Sequence, residues 1–165
     1  HKGNWVNENS VTKPSSSNGV SRLKAENTWL NLSKKKNYPL QIFRLAGIYS
    51  EKFNILKRLQ TGTVKIVNKK DHFFSRIHVD DIANILFKSI HNFKNNEIYN
   101  ICDDRPASQN EIAIYGAKLL KIDQPTPIKL EEVESKMLQN FYKDSKKVDN
   151  TKMKIFFKYN LKLIT

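Results

Sequence analysis

Glycine is scarce in this chain, with five in 165 residues, and none are spaced as GxGxxG. A Walker lysine motif and a GxSxG elbow are missing as well, so no phosphate-cradling loop or activated serine can be argued from these residues. The single cysteine, Cys102, excludes an internal disulfide framework and any paired-thiolate metal motif. It lies in the apolar run Ile98-Tyr99-Asn100-Ile101-Cys102, where a small buried hydrophobe is the expected role. His72, His78 and His91 have no ligand spacing, so no metal site is expected. Apolar runs are short, and none approaches the roughly 20 residues that cross a bilayer.

Acidic residues are outnumbered, 16 against 29 Lys and Arg, for a formal charge of +13. Such a balance raises nucleic acid as a partner. The lysines are nevertheless spread through every segment among many Asn and Ile, the bias of AT-rich coding rather than of one basic face. The densest run, Lys34-Lys35-Lys36, falls at a predicted helix end, where cations favour the dipole. A basic nucleic-acid-binding module is therefore the third and least favoured reading. Hydrophobic content of 39% and charged content of 27% fit a soluble globular chain of about one domain, and the expected compartment is a reducing cytoplasm. His1 at the start and the apolar Leu163-Ile164-Thr165 at the end suggest a piece cut from a longer protein.

Strands and helices alternate in the sequence pattern, the mark of an α/β chain. Residues 1–17 are polar and read as a loop. Leu23, Ala25 or Glu26, Trp29, Leu30 and Leu32 form an apolar stripe that predicts a helix over 21–35. Leu40 to Leu45 lacks polar alternation and reads as a strand buried on both faces. A short helix is expected over 53–60, closed by Gly62 as a left-handed cap. Val64-Lys65-Ile66-Val67 alternates like a surface strand, Lys69 to Asp71 turns, and Phe73 to His78 returns extended. A helix to about His91 follows, with Ile82, Ile85, Leu86 and Ile90 on its buried side. Glu97 to Cys102 is a strand, and Ser108-Gln109-Asn110-Glu111 is a capping box opening a helix to Leu120. Further helices are expected around 135–142 and 150–155.

Arg76, His78, Asp80 and Asp81 cluster at a strand-to-helix junction and invite an acid/base reading. Adjacent aspartates point in different directions and do not converge on one substrate atom. The favoured role for one of them is to cap the following helix. Taken alone, these residues support part of a soluble α/β protein.

The order of motifs resembles the carboxy-terminal part of an extended or atypical short-chain dehydrogenase/reductase, the NAD-dependent epimerase/dehydratase-like group. Asn18-Gly19-Val20-Ser21-Arg22-Leu23-Lys24-Ala25-Glu26 resembles that family's YxxSKxxxE segment, and Arg44-Leu45-Ala46-Gly47-Ile48-Tyr49 its RPxxVYG strand and loop. Ile77-His78-Val79-Asp80-Asp81-Ile82-Ala83 resembles its (F/Y)IHVxDxA junction, and Ile98-Tyr99-Asn100-Ile101 its VYNIG strand. Gly3-Asn4-Trp5-Val6-Asn7-Glu8 and Phe73-Phe74-Ser75-Arg76 point to an atypical branch.

The resemblance implies the last part of a doubly wound, Rossmann-type NAD(P)-binding domain over residues 1–50. A small α/β substrate lobe follows over 51–165, with 74–92 returning to the nucleotide domain. It implies NAD or NADP as cofactor, a small-molecule substrate, no membrane, and room for an oligomer. Arg22, Leu45, Ala46, Gly47 and Ile48 would bind the cofactor, and Tyr49, Arg76 and His78 would face substrate. His78 would mainly support the junction. The family's catalytic tyrosine and lysine positions fall on Asn18 and Arg22; Asn18 cannot act as a general acid, whereas Arg22 keeps the charge. Phe74 stands where many members carry a diphosphate-binding arginine, which argues against a UDP-sugar. An oxidoreductase or epimerase with an unassigned substrate is the first reading, and a catalytically degenerate NAD(P)-binding regulatory or scaffold protein the second.

Overall fold

The computed structural model describes residues 1–67 and 69–163, so the last two residues of the apolar chain end lie outside the described residues. In chain order the elements are β1 (Trp5–Val6), α1 (Ser17–Lys36), β2 (Gln41–Leu45), β3 (Gly47–Tyr49) and α2 (Ile55–Gln60). They continue with β4 (Arg76–His78), α3 (Val79–His91), β5 (Glu97–Ile101), α4 (Gln109–Leu120), α5 (Lys136–Lys143), β6 (Lys147–Val148) and α6 (Thr151–Phe157). A 3₁₀ turn at Leu130–Glu132 precedes α5.

The three strand pairs are parallel, β1 with β6, β2 with β5, and β3 with β4, and an isolated antiparallel bridge joins Phe74 to Ala107. Parallel pairs need long crossovers, and α3 and the segment holding α2 supply them. Ala46 is the pivot of this arrangement. Its amide donates to Ile101 O on β5, while the next amide, Gly47, donates to Ser75 O beside β4. The chain thus exchanges one neighbour for another within two residues, which places the ends of β2 and β3 at the border of two cavities.

The main core lies where α3 and α6 cover β4 and β5. Ile77, Ile82, Ile85, Tyr99, Ile101, Met153 and Phe157 are buried there, with Phe43 stacked on Tyr99 at 5.8 Å between ring centroids. A smaller cluster joins Val67, Val133 and Tyr142. Burial of Cys102 matches its apolar setting; its thiol donates to Val148 O at 3.2 Å, and burial pushes its pKa up.

Several expectations change in the structure. The amino-terminal loop contains β1, which docks on β6. Helix α1 starts earlier than its apolar residues, because Ser16 accepts the Gly19 amide as N-cap. Its inward stripe runs through Leu23, Glu26, Leu30 and Ser33, while Trp29 is 58% exposed. Strand β2 is half-buried rather than enclosed, with β5 as its one ladder partner among the described residues. Val64 to Val67 is no alternating surface strand: Ile66 and Val67 are both buried, and Val67 bridges to Ile128. On α3 the buried positions are Asp81, Ile82, Ile85 and Ser89, whereas Leu86 and Ile90 face outward.

Gly62 takes the expected left-handed conformation at φ +66, and the amides of Gly62 and Thr63 return to Leu59 O and Arg58 O. That is the double bond of a Schellman ending. The aspartate cap expected on α3 is replaced by His78, whose Nδ1 accepts the Asp80 amide at 3.2 Å. Asp80 stays exposed in the first turn, where its charge suits the dipole. Asp81 is wholly buried and accepts from Tyr159 Oη at 2.6 Å and from the Lys162 and Leu163 amides at 3.0 and 3.2 Å. It binds the far end of the chain to α3.

Candidate functional site

Two cavities flank the β3–β4 pair, and they have no lining residue in common. The first, of about 570 Å³, opens between the amino-terminal segment, α1, the end of β2 and α5. Arg22, Leu45, Ala46 and Gly47 all line it, so four of the five residues expected to hold a cofactor come together. Ile48 lies outside that lining, because alternation along β3 turns it away from Gly47. Asn18 also lies outside it, in the first turn of α1 and one turn before Arg22.

The backbone of this wall is already satisfied, since Ala46 and Gly47 donate to the sheet. What the wall offers a ligand is therefore shape and side chains. Gly47 is tightly covered: a Cβ there would lie 2.5 Å from two carbons of the Phe74 ring. Phe74 in turn meets Phe141 of α5 edge to face, with centroids 4.6 Å apart. The space left by the missing side chain at Gly47 is thus taken by the chain's own aromatic ring.

Charge enters through Arg22, Lys13, Asp144 and Lys146 and through a pair in the lining, Arg44 and Glu26. Arg44 makes two bonds to Glu26, Nε at 3.0 Å and Nη2 at 2.6 Å. That hydrogen bonding raises the guanidinium pKa against the opposing effect of burial. A two-point fork of this kind fixes α1 on β2 and so sets the distance between Arg22 and the 45–47 backbone. Glu8 caps the neighbouring edge by accepting the Asn100 amide at 2.8 Å.

Tyr49, Arg76 and His78 line the second cavity, of about 600 Å³, together with residues of α2 and α4. The residues expected to face substrate are thus separated from those expected to face cofactor. Arg76 is neither a surface ion-pair partner nor exposed; only 8% of it is accessible. Its guanidinium donates to Phe74 O, Ala107 O and Gln109 Oε1, and burial lowers its pKa to about 10. Tyr49 stands edge-on to His78 at 5.0 Å. Among the described residues no cluster of His, Cys, Asp or Glu could hold a metal ion.

Sequence reasoning missed the contribution of the chain's own start and of α5 to the first cavity. Val6, Asn7, Ser10, Phe141, Asp144 and Lys146 line it without any short-range pattern that announces a site. The one available signal was the Gly3 to Glu8 motif, whose strand β1 carries that segment onto β6.

No protein-family model matches the sequence, and no curated protein matches it. Solved structures do. A functionally unknown conserved protein from Silicibacter pomeroyi superposes with a TM-score of 0.92 and 32% identity, over 100% of this chain and 58% of that one. UDP-glucose 4-epimerase from Thermotoga maritima, solved with UDP-glucose, gives 0.76 and 18% over 96% of this chain and 52% of its own. dTDP-glucose 4,6-dehydratase from Bacillus anthracis, solved with NAD, gives 0.77 and 17% over 95% and 50%. The chain shares the Rossmann-like α/β fold of these structures. It spans between 50% and 58% of the length of these three solved chains.

Proposed function

We propose that this chain is the carboxy-terminal part of an atypical short-chain dehydrogenase/reductase that binds NAD or NADP and acts on a small carbonyl, hydroxyl or epimerisable substrate. The observation that carries the reading is the convergence of Arg22 with the Leu45–Ala46–Gly47 backbone on one cavity at the carboxyl end of a parallel strand. Open α/β sheets bind ligands at that end. The residues fit one half of a dinucleotide, the nicotinamide and its ribose. Arg22 would hold the ribose, residues 45–47 would form the face against the ring, and the cofactor would supply hydride chemistry. The phosphate cradle would come from outside this sequence, which has no glycine-rich turn.

Phe74 and Phe141 give that cavity an aromatic side, while Lys13, Arg22 and Lys146 supply cations elsewhere in its lining. The substrate is read as a small molecule without a nucleoside diphosphate handle because Phe74 stands where the resemblance places a diphosphate-binding arginine. Asn18 carries no titratable proton, so the acid is either supplied from elsewhere in the full-length protein or absent. The second reading, an NAD(P)-binding regulatory or scaffold protein, rests on that asparagine.

NADH and NADPH fluorescence titrations of the full-length protein test the proposal. Saturable binding is expected, weakened about 10-fold or more by Arg22→Gln, the loss expected for one hydrogen bond to a charged group. Absence of binding to either nucleotide overturns it. Binding without turnover across a broad carbonyl and alcohol panel favours the regulatory reading.

A further inference from the structure

The second cavity is lined by both apolar and charged side chains. Leu56 of α2 and Ile112 and Leu119 of α4 supply apolar wall. These helices are locked together at Gly116, where a Cβ would lie 2.8 Å from Leu59 Cδ1 and 3.0 Å from Leu56 Cδ2. Packing that close gives the apolar wall a fixed shape. A volume of about 600 Å³ falls within the range of small-molecule sites.

Arg76, His78 and Arg105 also line it as hydrogen-bond donors. His78 Nδ1 is committed to the Asp80 amide at 3.2 Å, so the neutral ring carries its proton on Nε2. Arg105 is fixed at its base, its amide donating to Asp103 Oδ1 at 3.2 Å, and its guanidinium lies 3.6 Å from Glu111 in an exposed pair. So exposed a pair contributes little to stability, and a ligand carboxylate can exchange with Glu111 at little cost. The buried Arg76 guanidinium donates to neutral acceptors, and the carboxylates of Asp103 and Glu111 act on its charge. Glu51 also lines the chamber but is exposed to solvent.

We propose that this chamber is a separate binding site for a small carboxylate with an apolar tail, the head held by Arg105 and His78 Nε2–H and the tail by Leu56, Ile112 and Leu119. This ligand does not meet the nicotinamide cavity, because the two cavities share no wall residue. The site therefore stands apart from the proposed cofactor function and is testable without it.

The test titrates the full-length protein, free of nicotinamide cofactor, with hexanoate and with hexanamide as the uncharged isostere. Proton NMR of the Tyr115 and His78 rings reports occupancy. Saturable hexanoate binding is expected, with hexanamide about 10-fold weaker and NADH failing to displace hexanoate. Arg105→Gln, a surface change, is expected to weaken hexanoate about 10-fold, and Leu119→Trp, at a half-exposed position, to block it with the unfolding midpoint unchanged. Equal affinity for the amide, indifference to Arg105→Gln, or displacement by NADH overturns the proposal. So does the lack of any saturable shift, as expected if the chain's own continuation fills the chamber. Loss of NADH binding alone would sink the cofactor reading and leave this one standing.

Discussion

Gly47 is hemmed in by the chain's own packing. Glycine is required there because the Phe74 ring lies where a Cβ would be. Gly47→Ala should force the ring against Phe141 and destabilise the protein by about 1–3 kcal/mol, the usual cost of overpacking. Phe74→Leu in the same chain should recover most of that loss in a chemical-denaturation double-mutant cycle. Additive losses would show that the two sites do not touch. The cap of α3 is a similar case: an aspartate or His78 can satisfy its first amides by spacing, and in the structure His78 does. Asp81 could not be read as buried, because its partners arrive from residues 159–163.

At the scale of elements, α5 is the one whose stability should depend on acidity. His72 is buried, its Nε2 lies 2.8 Å from Asp144 O and 3.4 Å from Phe141 O, and its Nδ1 has no partner. Burial lowers its pKa, opposed by those carbonyls and reinforced by the charges of Lys69 and Arg76. The native ring is therefore neutral, whereas the unfolded ring takes up a proton below its ordinary value of 6.5. Stability is intact above that value and falls as pH drops through it, by up to about 1.4 kcal/mol per unit. Between about pH 7.5 and 5.5, the unfolding midpoint should fall more steeply in the native protein than in His72→Phe. Parallel slopes would show that this ring does not titrate differently on folding. Phe141 and Asp144 also line the first cavity, so acid should loosen that wall too.

Long periodic helices and the five-residue strands were legible because local pattern and tertiary burial agree there. Helix α4 and strand β5 are examples. The two-residue strands β1 and β6 were not, since a pair so short is specified by the packing around it. The outward turn of Leu86 and Ile90 on α3 was equally illegible. An apolar stripe says that a face can be buried, and only the neighbours say whether it is. The strand ends 44–49 and 76–78 could be singled out from the sequence, but their division between two cavities could not, because it depends on which side chains of other elements pack beside them.

For the whole molecule, Trp29, Phe87, Ile90, Phe93 and Ile155 are each at least half exposed, and β2 has one ladder partner among the described residues. Exposed apolar area and an open strand edge favour association. The 165-residue chain produced alone should sediment as concentration-dependent oligomers and bind a hydrophobic dye. A monomer with a cooperative melt would contradict this.

The clasp at Asp81 also orders events in time. Its three donors lie 78, 81 and 82 residues further along the chain. During synthesis at about 5–20 residues per second, the carboxylate waits on the order of 4–16 s before those donors exist. Until then α3 cannot bury its first turn without stranding a charge. The nascent chain therefore holds this part of its core open and closes it only as residues 159–163 leave the ribosome.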